Sequence, residues 1–331
     1  MLMFALYAFL ISLVTLLVVI SLTHKYNLFM DESEDEKPQN YHAQTTPRAG
    51  GIGLISGMIL LLFTPLGIKL VLSVILAFLS GIFEDFHNSL SPKLRLFLQF
   101  ISALVAVWLT GSVVTYLGLG ITMPYAGGMV FSIFAIIGMM NAINIIDGFN
   151  GLASGVSLLI LSSFAFIAYI HNDINILYII AITVGSLAGF FILNFPRGKI
   201  FLGDGGAYLL GFIIALIGIS LASSYEDVSP WYMLCILIYP VWEVVFSIIR
   251  KTSSGLSPMQ PDTYHLHMLI YRQITHNNPL TALFIIIAML PITLLSTLHS
   301  NSSLYNISIA SGFIFLYLSL YLYLYKKDTK S

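Results

Sequence analysis

Charge is what this sequence has least of. Asp, Glu, Lys and Arg make up 9% of its 331 residues, whereas hydrophobic residues make up 58%. Soluble domains carry about 25% charged residues, so the shortage excludes that class and marks an integral membrane protein. Cysteine is nearly missing too. The single one, Cys235, lies in an apolar run, which excludes internal disulfides and cysteine-rich metal sites. The formal net charge is −1, which gives no sign of the strong basic excess that attracts nucleic acid. The first apolar run lacks a basic lead-in and a small-residue cleavage pattern, and it is long for a signal peptide, so it is expected to remain as a membrane helix.

Apolar runs able to cross about 30 Å of hydrocarbon recur along the chain. They predict an all-α, polytopic single domain of eleven helices, over 2–22, 50–65, 67–83, 94–115, 126–143, 152–171, 174–195, 206–223, 231–249, 279–298 and 304–325, with ten as the alternative count. Turn-like stretches such as "TPLG" (64–67) and "HNDIN" (171–175) separate paired runs. With eleven spans, every Lys and Arg except Lys69 falls on one side, thirteen of the fourteen in the chain. The positive-inside rule then puts the N-terminus outside and the C-terminus in the cytoplasm. The acidic run "DESEDE" (31–36) falls in the first cytoplasmic loop and reads as a solvated linker.

Polarity is therefore concentrated rather than absent. Five clusters fall on the cytoplasmic side: "YHAQTTPRAGGIG" (41–53), "FEDFHNSLSPKLR" (83–95), "NAINIIDGFNGL" (141–152), "NFPRGKIFLGDGGAYLLG" (194–211) and "SPMQPDTYHLHMLIYR" (257–272). Polar groups near membrane depth are costly and tend to be functional, so five clusters on one face predict one composite site. "FLGDGGA" and "RAGGIG" each put glycines at the start of a predicted helix, where backbone N–H groups favour phosphate. Carboxylate and amide oxygens without thiols suit Mg²⁺, or Mn²⁺. Lys93, Arg48, Arg197 and Lys199 are placed to neutralise a diphosphate. Phosphates, a hard cation and a lipid boundary point to phosphoryl transfer onto a membrane-embedded acceptor.

Each feature also has a plain structural reading. Asn and Asp beside Gly commonly make helix caps and turns, and Glu84–Asp85 could simply end the third span in water. His265 and His267, two residues apart, cannot share a helix face, which argues for a loop. Glu243 lies inside the ninth span, two turns before Arg250, and reads as one half of a buried ion pair.

The five clusters, in this order, resemble the polyprenyl-phosphate N-acetylhexosamine-1-phosphate transferases, members of the family-4 glycosyltransferases. The resemblance covers about residues 41–272. It implies attack by a polyprenyl-phosphate oxygen on the β-phosphate of a UDP-aminosugar, giving a polyprenyl-diphosphate-sugar and UMP. By motif, it makes Asn144 and Asp204 metal ligands and puts Asp147 and Asn150 near the nucleotide. Phe201 would pack on uracil and Asn194 would touch the nucleotide, with His42 and Arg48 as further substrate contacts. Glu84–Asp85 falls where the family has an Asp pair assigned to the lipid phosphate, Lys93 near a diphosphate-contacting lysine, and His265 and His267 in a loop that closes over diphosphate and sugar.

Three positions depart from the family pattern: Glu84 for Asp, Met268 for the last His, and Ala207 for Ser. The first makes Asp85 the safer candidate for the chemistry. "TPRAGG" and "HLHM" favour a UDP-N-acetylhexosamine and undecaprenyl phosphate over the muramyl-pentapeptide nucleotide of translocase I. A membrane transporter is the alternative from another class, but transporters place charged sites nearer the midplane. The resemblance implies the cell inner membrane as the location and leaves a homodimer open.

Overall fold

A computed structural model describes residues 1–26, 46–87, 90–257 and 263–329. His42, the acidic run 31–36 and residues 258–262 of the last polar cluster lie outside the described residues. Each of the eleven predicted apolar stretches carries helix, the fourth only to Thr110 rather than to residue 115, and the molecule is a polytopic all-α membrane protein. The helices are α1 (Leu2–Tyr26), α2 (Gly50–Met58, continued as a 3-10 turn over Ile59–Phe63), α3 (Pro65–His87), α4 (Pro92–Thr110), α5 (Tyr125–Ile146), α6 (Leu152–Ile170) and α7 (Ile174–Asn194). There follow α8 (Gly203–Ser224), α9 (Pro230–Ile236), α10 (Ile238–Ser253), the short α11 (Leu266–Ile270), α12 (Asn278–Leu298) and α13 (Ser303–Asp328). A small antiparallel hairpin, β1 (Tyr116–Gly118) with β2 (Ile121–Thr122), joins α4 to α5.

Two expected spans differ from simple crossings. The second is only nine residues of α-helix and five of 3-10 helix, shorter than the other spans. The ninth is bent by 79° between α9 and α10. Pro240 explains the break: it has no N–H to donate, and its ring clashes with the carbonyl four residues back, which belongs to Ile236, the last residue of α9. Among the described residues, nine helices are long and apolar enough to cross a membrane, or ten with the bent pair taken as one.

The centre of the bundle is α8, whose membrane window is 94% buried. It is apolar on every side, "AYLLGFIIALIGISLA", the pattern of a helix surrounded by others. It packs against α3 and α5, with α2 and α6 completing the enclosure. On the outside, α1 lies along α7. Gly185 and Gly189 of α7 face the carbonyls of Ala5 and Phe9 so closely that a Cβ would overlap them, the small-residue spacing that brings membrane helices together. This packing fixes α8 along its length and leaves its first turn, with Asp204, at one end of the bundle.

Candidate active site

Asp204 sits in the first turn of α8, where the partial positive charge of the helix start favours a carboxylate. Its Oδ1 accepts from Asn144 Nδ2 at 3.0 Å and lies 3.5 Å from Arg48 Nη2. Its Oδ2 is 3.2 Å from Arg95 Nη1. One carboxylate thus joins α8 to α5, to α4 and to the segment before α2. Charge-assisted bonds of this kind are stronger than neutral ones, and here they come from three parts of the chain.

Asp85, near the end of α3, lies behind Asp204. Its Oδ1 accepts the Asp204 backbone N–H at 2.8 Å, and its Oδ2 accepts that of Gly205 at 2.9 Å. Both oxygens therefore cap α8, and the Asp85 side chain is only 1% exposed. Gly203 makes the approach feasible. Its φ is +74°, and a Cβ would stand 2.7 Å from Asp85 Oδ2. Glu84 Oε1 lies 3.8 Å from Arg95 Nη1, which also holds Asp204.

The start of α2 is tied to the same place by backbone. Phe201 N–H donates to the Pro47 carbonyl, Gly50 N–H to the Phe201 carbonyl and Gly51 N–H to the Leu202 carbonyl, at 2.9, 2.8 and 2.8 Å. Phe201 is half-buried in this pairing. Two helix starts, α2 and α8, thereby abut at the site.

The "NAINIIDGFNGL" stretch, with its polar residue at every third position, sends those side chains to different neighbours. Asn141 donates to Gln99 of α4 at 2.9 Å, and Asn144 meets Asp204. Asp147 follows the end of α5. Burial pushes its carboxyl well above the ordinary range; Arg48 opposes this, and the nearby Asp204 and Asp85 charges add to it. Asn150 turns inward: its N–H donates to Asn278 Oδ1 at 2.7 Å and its Nδ2 to the Pro196 carbonyl at 3.1 Å. Asn194 also staples backbone, accepting from Gly151 N–H at 2.6 Å and donating to the Ile200 carbonyl at 2.8 Å.

The histidines enter from the segment before α12. His265 precedes α11, and His267 lies in its first turn. His267 is fully buried, with Nδ1 3.1 Å from the Tyr239 hydroxyl. Its Nε2 lies 3.8 Å from where a Cβ on Gly148 would be, so this segment packs on the turn that carries Asp147. Arg272 fastens the same segment to α13 through two bonds to Asp328, at 3.1 and 2.8 Å.

Comparison with known proteins gives this arrangement its context. A profile of glycosyl transferase family 4 matches residues 68–222. The phospho-N-acetylmuramoyl-pentapeptide-transferase of Streptococcus sanguinis is 30% identical over 269 residues, covering 74% of this chain and 79% of that protein. This chain belongs to glycosyl transferase family 4. A probable undecaprenyl-phosphate N-acetylglucosaminyl 1-phosphate transferase of Bacillus subtilis is 28% identical to this family-4 chain, over 78% of it and 75% of the relative. The undecaprenyl-phosphate alpha-N-acetylglucosaminyl 1-phosphate transferase of Thermotoga maritima is 29% identical, over 77% of each.

Of the residues singled out by sequence, this family-4 glycosyl transferase brings Arg48, Glu84, Asp85, Asn144, Asp147 and Asp204 into one cluster, with His265 and His267 against the Asp147 turn. Asn150, Asn194 and Phe201 lie beneath, holding its loops. Lys93 is exposed on the first turn of α4. The other departures from the family pattern, Ala207 and Met268, are both buried.

Two points escaped the sequence reading, the role of Arg95 and the partner of Glu243. Arg95 counted there only toward orientation, although it stands two positions from Lys93 in the same cluster. Glu243 pairs with His265 at 3.0 Å and not with Arg250. The sequence signal was present, since a carboxylate inside an apolar run needs a partner, but nearness along the chain pointed to the wrong one.

Proposed function

We propose that this enzyme transfers an N-acetylhexosamine-1-phosphate from a UDP-sugar to undecaprenyl phosphate, releasing UMP. The reaction would take place at the cytoplasmic face of the cell inner membrane, as the first membrane step toward an envelope polysaccharide. The observation that carries the reading is the Asp204 carboxylate, shared by Arg48, Arg95 and Asn144 at one end of a membrane bundle. The names of the Bacillus and Thermotoga relatives support the same chemistry, and the one-sided Lys and Arg distribution supports the orientation.

The chain's own residues suit this reaction. The acceptor phosphate is already anionic at neutral pH, so the protein need not supply a strong base. Arg48 and Arg95 offset diphosphate charge, with Lys93 at the rim. Phe201 would face the nucleotide, with Asn150 and Asn194 holding the loops on that side, and His265 and His267 would lie over the diphosphate and sugar. Glu84 and Asp85 border the lipid phosphate. Holding acceptor and β-phosphate in line accounts for much of the rate.

The donor set fits a hard divalent cation. Asp204 and Asn144 would hold Mg²⁺, or Mn²⁺, with Asp147 close by. One or two carboxylates suffice, because Mg²⁺ keeps water and substrate phosphates in its shell. When bound, the ion supplies charge stabilisation on the diphosphate.

The test is UMP release by purified protein given Mg²⁺, undecaprenyl phosphate and, in turn, UDP-GlcNAc, UDP-GalNAc and UDP-MurNAc-pentapeptide. Release with an N-acetylhexosamine nucleotide, stopped by a chelator, is expected. Release with the pentapeptide nucleotide alone would favour the second reading, which the Streptococcus relative motivates. No release with any of them sinks the proposal.

A further inference from the structure

Glu243 lies on α10 with 1% of its surface exposed. A carboxylate buried at membrane depth is costly unless its oxygens are matched by donors. Donors face it from the histidine segment, and the hydroxyls of Tyr239 and Tyr317 face it as well. Leu266 N–H donates to Oε1 at 3.2 Å, and His265 Nδ1 lies 3.0 Å from Oε2. His267 Nδ1 is 3.9 Å from Oε1. The two imidazoles stack with centroids 5.4 Å apart and planes 4° from parallel.

This geometry decides where the His265 proton sits. An ionised carboxylate only accepts hydrogen bonds, so the nitrogen facing it, Nδ1, carries hydrogen. The opposite nitrogen, Nε2, is then the one left for a ligand. The partner on one imidazole nitrogen fixes what the other can do, as it does in metal and catalytic sites. The 79° break of the ninth span supports the arrangement, because α10 holds Glu243 beside a segment that packs on the Asp147 turn.

We infer that Glu243 is a positioning residue for the transfer reaction, holding His265 with its proton on Nδ1 so that the bare Nε2 accepts a hydrogen bond from a sugar hydroxyl or amide N–H of the sugar nucleotide. The inference rests on the proposed function and adds a residue to it. It also separates Glu243 from a mere structural tie, because E243Q should keep the packing and invert the ring. A glutamine carbonyl still accepts the Leu266 N–H, and its NH₂ then donates to Nδ1, which drives the proton to Nε2.

The experiment compares wild type, E243Q, H265N and the double variant in UMP release, with ¹⁵N NMR of histidine-labelled protein in detergent. The H265N spectrum assigns the His265 ring. In wild type, the proton is expected on Nδ1. In E243Q it moves to Nε2, kcat falls by about 10–100-fold, the scale typical of losing a histidine's orienting partner, and KM for the UDP-sugar changes little. The double variant should be no slower than H265N alone.

Near-normal kcat in E243Q overturns the inference, as does an effect that multiplies with that of H265N. A wild-type spectrum with bare Nδ1 overturns it even if E243Q fails to fold. A wild-type protein that releases no UMP from any UDP-sugar overturns the transfer reading, and this inference with it.

Discussion

Two aspartates cap two helices in this molecule, from very different distances along the chain. Asp173 stands immediately before α7 and accepts the Ile176 N–H at 3.0 Å. Asp85 lies near the end of α3 and caps α8, 119 residues further on. The first belongs to the polar group at the hairpin end of the bundle, where Asp173 also accepts from the Tyr225 hydroxyl and His171 meets Asp227, both at 3.0 Å. The second belongs to the Asp204 cluster. A cap from the next residue stabilises its own helix and little else. A cap from a distant helix also sets where α8 begins relative to α3, and so fixes Asp204 in space.

The difference can be tested from the strongest effect downward. Asp204→Ala removes the carboxylate on which Arg48, Arg95 and Asn144 converge. Turnover in purified membranes should fall by about 10³-fold, the scale of losing a preorganised charge at a reacting centre. Near-normal transfer would remove Asp204 from the reaction. Asp85→Ala leaves two helix-start N–H groups unpaired, which costs about 1–3 kcal/mol for each buried donor. The thermal midpoint in detergent and the turnover should fall together. Asp85→Asn keeps one acceptor oxygen and should fall between wild type and alanine in both. A variant that keeps its midpoint and UDP-sugar affinity but loses turnover would show that the carboxylate acts on the lipid phosphate as well.

Arg95→Ala should reduce kcat/KM by about 10–100-fold, the equivalent of about 1.5–3 kcal/mol for a charge-assisted bond, and Arg95→Lys should recover only part of it. Asp173→Ala should lower stability by about 0.5–2 kcal/mol, the usual worth of a local cap, with kcat/KM unchanged. A rate effect there would erase the distinction between the two ends.

The smallest effect concerns pH. Burial lowers the His171 pKa, but the Ile167 carbonyl and Asp227 outweigh it, and the net value is raised above the ordinary 6.5. The stabilisation from the charged ring is complete below the unfolded value and is lost as pH rises through the higher folded one. The thermal midpoint should therefore slip slightly between about pH 6 and pH 8. His171→Asn should flatten that slope. Asp227 is largely exposed, so salt should shrink the effect.

These contrasts also show how much of the molecule can be read from its sequence. Hydrophobic length is local, so every apolar stretch was legible, and "HNDIN" announced the Asp173 turn. The break at Pro240 was present in the residues as well, but span length alone hides it. Asn144, Asp147 and Asp204 come together as their motifs imply. What the sequence could not give is pairing across the bundle. Nothing near Asp85 says that its two oxygens belong to α8, and nothing near Glu243 points to residues 265 and 266. Those links depend on which helices pack side by side.

The contact between α2 and α8 has a consequence for how the enzyme varies. A Cβ on Gly51 would stand 2.5 Å from the Gly206 nitrogen, so even alanine would wedge the two helix starts apart. The strand of chain bearing Arg48 is thus welded to the turn bearing Asp204, and a tug on either is felt by both. A change of length at this seam would therefore drag the Asp204 carboxylate out of place.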